Sequence, residues 1–477
     1  MASLSSIRTT RTRRAARPAP APRAAPDAER VDNAPGHRTP PHPPTRGPGR
    51  NHYADLLRVC AIAAVVVGHW LLTDITYHHG HLGGRNSVEY VGWGRWVTLA
   101  LQVLPVFFTV GGYVNAVSWT SHHARGTPWH AWVGARAMAL LWPVVVYVVV
   151  AALGVTVALV AGAPARELDR AGWFVALHLW FLPVYLALIL LTPLLLAAHR
   201  RWGLAVPAVM AALAGAVDLA RVGGDVPVVG AANYLLVWGA IHQWGFSWLD
   251  RRLTRPRWLP AALAGVSAVL LTLLLWPGPF PVDMIGAGLR VNNTAPPSIA
   301  LLAFAATQVG LLLTAEPRMA PRLERPARLR RLARLNGAVL TVYLWHMVPV
   351  ILIALTLYPT GVAPQPDIGS GPWVALRVAW VAVLAIVLAP LALGVMWAER
   401  PLRKLPLGAG VAGRWAPVPL VAGIGATAAG LAKIAVDGFA PGGRIAVLGL
   451  ALVAVGVSLT FLAGPRRGPE GGSGGGG

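Results

Sequence analysis

The chain has 477 residues, 55% hydrophobic and 12% charged, about half the charged fraction of an ordinary soluble domain. Its formal net charge is +23, but the basic residues cluster at the ends of apolar segments, which points to membrane topology rather than nucleic-acid binding. A single cysteine, Cys60, excludes an intramolecular disulfide framework.

Residues 1–49 are rich in Arg, Pro and Ala without apolar periodicity, and are expected to form a disordered basic cytoplasmic tail near anionic lipid. No apolar core follows a short basic start, so this stretch does not read as a signal peptide. Twelve apolar segments follow, at approximately 54–73, 97–119, 137–162, 173–198, 203–221, 232–249, 258–276, 298–315, 335–358, 372–397, 416–435 and 444–464. Each approaches the length needed to cross a hydrocarbon core of about 30 Å. The expected fold class is therefore all-α, a polytopic transmembrane helix bundle.

Alternate loops separate by charge. One set holds Arg125, Arg200 and Arg201, the Arg251–Arg257 cluster, the run from Arg318 to Arg334, then Arg400, Arg403, Lys404, Arg414, Arg466 and Arg467. The other is sparser, with Arg85, Arg95, Arg166, Arg170 and Arg290. The positive-inside rule then places both termini in the cytoplasm of a plasma-membrane protein. Two loops on the sparse side are long, Asp74–Trp96 and Pro277–Pro297. His78, His79 and His81 in the first invite a metal site, but no second ligand set at a characteristic spacing accompanies them, so a solvated loop is expected. The tail, 465–477, reads as a flexible Gly-rich segment.

Polar interruptions at membrane depth carry the functional signal. Arg58 and His69 lie eleven residues apart in the first segment, so a helix returns them to within roughly 20° of one face, about 16 Å apart. Arg58 taken alone could extend its side chain to the headgroups, and Trp and Tyr near segment ends are ordinarily interfacial anchors. Tyr113 and Asn115 lie in GGYVNAVSW, Arg136 in GARAMALLWP, His178 and Tyr185 in HLWFLPVYL, and Asn233, His242 and Gln243 in the sixth segment. Tyr343 and His346 fall in TVYLWHMVPV, and Glu399 and Arg400 in WAERPLR. An intramembrane histidine can simply bond across helices, but a His that shares a face with Arg marks a site by default. No P-loop, GxSxG elbow or HExxH is present, and carboxylates within the spans are few. Histidine remains for acid–base work, with arginines to hold an anion.

RNHYADLLRVCAIAAVVVGHW with its Arg-x10-His pattern, then FFTVGGYVNAVSW, HLWFLPVYL, TVYLWHMVPV and AERP in that order, resemble the membrane-bound acyltransferase 3 family across roughly residues 50–405. The resemblance implies a ten-helix catalytic core at 50–405, followed by two accessory helices at 406–464. It implies transfer of an acyl group, in the first instance acetyl, from acyl-CoA to a hydroxyl of a carbohydrate, lipid or secondary metabolite. No tightly bound cofactor, no metal and no nucleic-acid partner are expected. His69 and Arg58 become the catalytic candidates, with Arg136, His346, Tyr343, Glu399, His178 and Asn115 as candidate substrate-binding residues. The alternatives are a transporter or flippase for a lipid-linked substrate, with the same residues lining a path, and an inactive signalling or assembly component.

Overall fold

The computed structural model describes residues 51–464 except 287, 288, 290, 402–405 and 411–414. The basic tail at 1–49, the Gly-rich tail at 465–477, and Arg290, Arg403, Lys404 and Arg414 lie outside the described residues.

The first helix, α1 (His52–Leu72), starts because Asn51 Oδ1 accepts from the backbone N–H of Tyr53 at 2.9 Å and of Ala54 at 3.0 Å, with Asp55 in the first turn. It ends where the chain extends into β1 (Thr73–His78), which pairs antiparallel with β2 (His81–Asn86). The expected solvated loop at 74–96 is thus partly a hairpin. Its two turn residues, His79 and Gly80, have φ of 52° and 81°, the backbone such tight hairpin turns require. His78 and His81 face one another across that pair, and among the described residues no group of three His, Cys, Asp or Glu is placed to hold a metal.

The second span is two helices, α2 (Gly94–Leu101) and α3 (Leu104–Ala124). Gln102 at the break accepts from Leu104 N at 3.3 Å and donates to Met284 O at 2.6 Å, so the interrupted ladder finds partners. α4 (Trp129–Val160) begins eight residues before the expected 137, which places Arg136 two turns inside the helix rather than at its opening. A short α5 (Ala165–Phe174) and a 3₁₀ turn at Leu177–Trp180 precede α6 (Phe181–Trp202). α7 (Ala205–Asp218), α8 (Asn233–Leu249), α9 (Leu259–Leu275) and α10 (Ile299–Leu323) follow.

α11 (Pro326–Trp345) and α12 (Val348–Leu357) meet at a 51° bend. Pro349 explains it, because proline has no N–H to return to Trp345 O four residues back. α13 (Gly371–Ala398), α14 (Pro417–Asp437) and α15 (Val447–Ala463) are the last helices among the described residues.

All twelve expected segments fall on a helix or a helix pair. Among the described residues, eight helical runs are long and apolar enough to cross a membrane, and the bent α11–α12 pair makes a ninth if it is one span. α8, α9 and α15 have 17 residues each, the short end of the spanning range. Outward faces are apolar: Val266, Val269 and Leu273 on α9, and Val378, Ile386 and Leu393 on α13, are exposed. Continuous apolar surface of this kind needs lipid around it. This is a multi-pass membrane protein.

Helix directions agree with odd and even crossings. Arg58 meets Asn336 and His69 meets His346, so α1 and α11 run parallel. Trp380 Nε1 donates to Trp70 O at 3.0 Å, and Arg377, three residues earlier, donates to Thr73 O at 3.0 Å, so α13 runs antiparallel to α1. α14 and α15 form a hairpin packed on α4 and α6, and Phe439 N donates to Gly172 O at 3.2 Å behind the 3₁₀ turn.

Candidate active site

Among the described residues, three polar clusters contain residues singled out in the sequence. The first is built of histidines from α1, the 3₁₀ turn before α6 and the α11–α12 bend. His69 Nδ1 stands 2.7 Å from His346 Nε2, and His346 Nδ1 stands 2.6 Å from Tyr343 O. His178 Nε2 donates to Leu344 O at 3.1 Å, while the Tyr343 hydroxyl donates back to His178 O. Trp70 Nε1 donates to His346 O at 2.7 Å, taking up a carbonyl at the bend, where the helical ladder is interrupted. Three separate elements are thereby tied around one point.

Burial in this cluster is uneven. His178 and His346 are fully buried, at 0% exposure, whereas His69 retains partial exposure. Tyr147 closes the cluster from behind: its ring lies 5.6 Å from His178 and 5.4 Å from Trp345, and its hydroxyl donates to Val175 O at 2.6 Å. Phe439, from the loop after α14, packs on Tyr147 at 6.3 Å.

The second cluster joins α3, α4 and α8. Arg136 Nε donates to Asn115 Oδ1 at 3.1 Å, and Asn115 Nδ2 stands 3.3 Å from His242 Nε2. A guanidinium only donates, so the amide oxygen faces Arg136 and the amide N–H₂ faces the imidazole. An aromatic group lies between the two clusters: Phe181 is 4.8 Å from Tyr343 and 6.4 Å from Phe108, which precedes Asn115 by two turns on α3.

Arg58 forms the third. Its Nε donates to Asn336 Oδ1 at 2.8 Å, one of its terminal nitrogens lies 3.5 Å from Asp55 Oδ1, and Asn336 Nδ2 donates to Asp55 O at 3.4 Å. Arg58 is therefore fixed within the protein rather than reaching out to headgroups. Along the continuous α1 it stands eleven residues from His69, about 16 Å, so the two align on one side without touching.

Of the residues singled out in the sequence, His69, His346, Tyr343 and His178 converge. Asn115 pairs with Arg136 on one side and His242 on the other, and Arg58 stands apart. Glu399 is 3% exposed, not a surface residue as its place at a helix end suggests, and it follows α13 at the Arg58 end of the bundle. Three participants were missed. Asn336 holds Arg58. Arg377, the one charged residue within α13, donates to Thr73 O and lies 3.4 Å from Asp74 Oδ1. Asp74 also accepts from Trp373 Nε1 at 2.8 Å, and Arg377 lies over the Trp373 ring at 4.6 Å. A lone cation in a spanning segment was a sufficient signal for Arg377.

A bundle of membrane-crossing helices that holds a cluster of histidines at depth, with arginines hydrogen-bonded further along, defines a multi-pass membrane protein with polar groups inside its spans. The acyltransferase domain family, acyltransferase 3, matches residues 51–397, and the chain belongs to that family. No curated protein and no solved structure matches it. The protein is a membrane acyltransferase, and the matched region holds Arg58, His69, Asn115, Arg136, His178, Tyr343 and His346.

Proposed function

We propose that the protein transfers an acyl group, acetyl in the simplest case, from acyl-CoA to a hydroxyl on a carbohydrate, lipid or secondary metabolite. The observation that carries this is the partly exposed His69, hydrogen-bonded to a buried histidine, on the helix whose other end carries the fixed cation Arg58. His69 takes the acceptor's proton as its oxygen attacks the thioester carbonyl. The C–O bond forms, the C–S bond breaks, and the thiolate leaves with the proton returned by His69. The donor's phosphates meet arginines on the positive side, with Arg58 and Arg136 leading inward, and its long pantetheine arm carries the thioester toward His69. Positive charge along the exposed Arg322–Arg334 stretch supports that orientation.

The test follows radiolabelled acetyl from acetyl-CoA in membranes bearing equal amounts of native protein and His69→Ala. Loss of the base should reduce transfer by about 100-fold or more. Equal transfer by His69→Ala overturns the assignment of the base.

A further inference from the structure

We infer that His346 is a positioning residue that selects the nitrogen of His69 that acts as base. The inference rests on the acyl-transfer reading for its catalytic consequence, but its geometry is independent of that reading.

A carbonyl oxygen can only accept, so His346 Nδ1, 2.6 Å from Tyr343 O, carries a proton. His346 is fully buried, and its described polar contacts are His69, the Tyr343 carbonyl and the Trp70 indole, none of them a carboxylate. A buried imidazolium without a counter-charge is costly, so the ring is neutral and its Nε2 holds a lone pair. His69 Nδ1 lies 2.7 Å from that lone pair and must therefore be the donor. In neutral His69, the form that can act as a base, the remaining nitrogen, Nε2, is unprotonated, and no hydrogen bond to it is found among the described residues.

Ring geometry agrees. The two imidazoles are 10° from parallel with centroids 4.9 Å apart, while two of their nitrogens approach to 2.7 Å. Both values hold together only if the rings meet edge to edge in nearly one plane, which is the arrangement of an in-plane N–H···N bond. Face-to-face stacking could not give it.

The consequence is a chain that runs from backbone to base. Tyr343 O orients His346, His346 Nε2 orients His69, and His69 Nε2 is presented to the acceptor hydroxyl. When His69 takes up a proton, its Nδ1–H remains bonded to a neutral acceptor, which stabilises the imidazolium without a buried carboxylate. His178 Nε2 holds the Leu344 carbonyl and Trp70 Nε1 holds the His346 carbonyl, so the backbone of that turn is tied at two points.

Two substitutions and one spectrum test this. In His346→Leu the acceptor is lost, and kcat for acyl transfer should fall about 100-fold with KM for the donor changed less than about threefold. In His346→Gln the side-chain oxygen can stand where Nε2 stood, and at least about tenfold of the loss should be recovered. Equal activity of the Leu variant and native protein, or equal loss in the Leu and Gln variants when both run as folded monodisperse protein, overturns the inference. In protein labelled with ¹⁵N-histidine, the signals that vanish in His69→Ala should show Nδ1 protonated and Nε2 unprotonated at neutral pH. The opposite tautomer overturns the inference even if native protein is fully active. Native protein that shows the stated tautomer but transfers no acyl group counts against the acyl-transfer reading alone.

Discussion

Asn336 accepts the Arg58 Nε–H at 2.8 Å, and ten residues further along the same segment His346 meets His69 at 2.7 Å. One parallel partner therefore holds both members of the Arg-x10-His pair. Their separation is set by α1, but their direction is set by α11 and the bend that follows it.

Replacing Asn336 with Leu should remove the acceptor of the Arg58 Nε–H, leaving the contact with Asp55, without touching the histidines. A hydrogen bond to a charged group contributes about 1.5–3 kcal/mol, so the KM for acyl-CoA should rise roughly tenfold or more, with kcat nearly unchanged. Steady-state kinetics over a donor titration checks this. A kcat effect with constant KM would place Arg58 on the reacting atoms instead.

The pair Asp74–Arg377 clamps the hairpin onto α13 with side chains only 7% and 13% exposed. Removing one partner leaves the other buried, so Asp74→Asn should destabilise the protein by about 3 kcal/mol or more. The double variant Asp74→Asn/Arg377→Met should recover much of that loss. Thermal unfolding in detergent micelles, run as a double-mutant cycle, measures the coupling, and additive losses would show that the pair does not act as a unit.

Much of this was legible beforehand, and the exceptions have physical causes. Helical arithmetic placed Arg58 and His69 on one face because α1 is a continuous 21-residue helix. His178, Tyr343 and His346 stood out as polar groups in apolar runs, yet nothing in their spacing says that a 3₁₀ turn and a proline-induced bend bring them together. Pro349 marked the bend, but a break inside one long apolar segment reads the same as a continuous span. The hairpin escaped notice because β2, HLGGRN, lacks the alternation and β-branched residues that signal a strand. Asp74 and Arg377 are 303 residues apart, a pairing that only the folded bundle reveals.

Helices α14 and α15 bear on the same site through Phe439, whose ring backs Tyr147 against His178 and Trp345. Phe439→Ala leaves a void in a fully buried position and should cost about 3–5 kcal/mol of stability. At temperatures where the variant stays folded, kcat should fall because His178 and the turn carrying Tyr343 lose their support. Unchanged activity would confine α14 and α15 to a role away from the histidines.

The second cluster depends on how closely α3 approaches α8. A Cβ on Gly112 would stand 2.0 Å from His242 O, and one on Gly245 would stand 2.1 Å from Thr109 O, so each helix presses its backbone into the other at a glycine. Asn115 lies one turn beyond Gly112, and its contact with His242 at 3.3 Å requires that approach. Gly112→Ala must force the helices apart, at a cost of about 1–3 kcal/mol or more, and should break the bond that orients the Asn115 amide toward Arg136. Gly154→Ala is the control, because a Cβ there meets nothing within 4 Å. Size-exclusion profiles and melting curves in detergent should show a loss for Gly112→Ala and none for Gly154→Ala. If both variants behave as native protein, the α3–α8 seam yields more readily than its backbone contacts imply, and the Asn115–His242 pair does not depend on it.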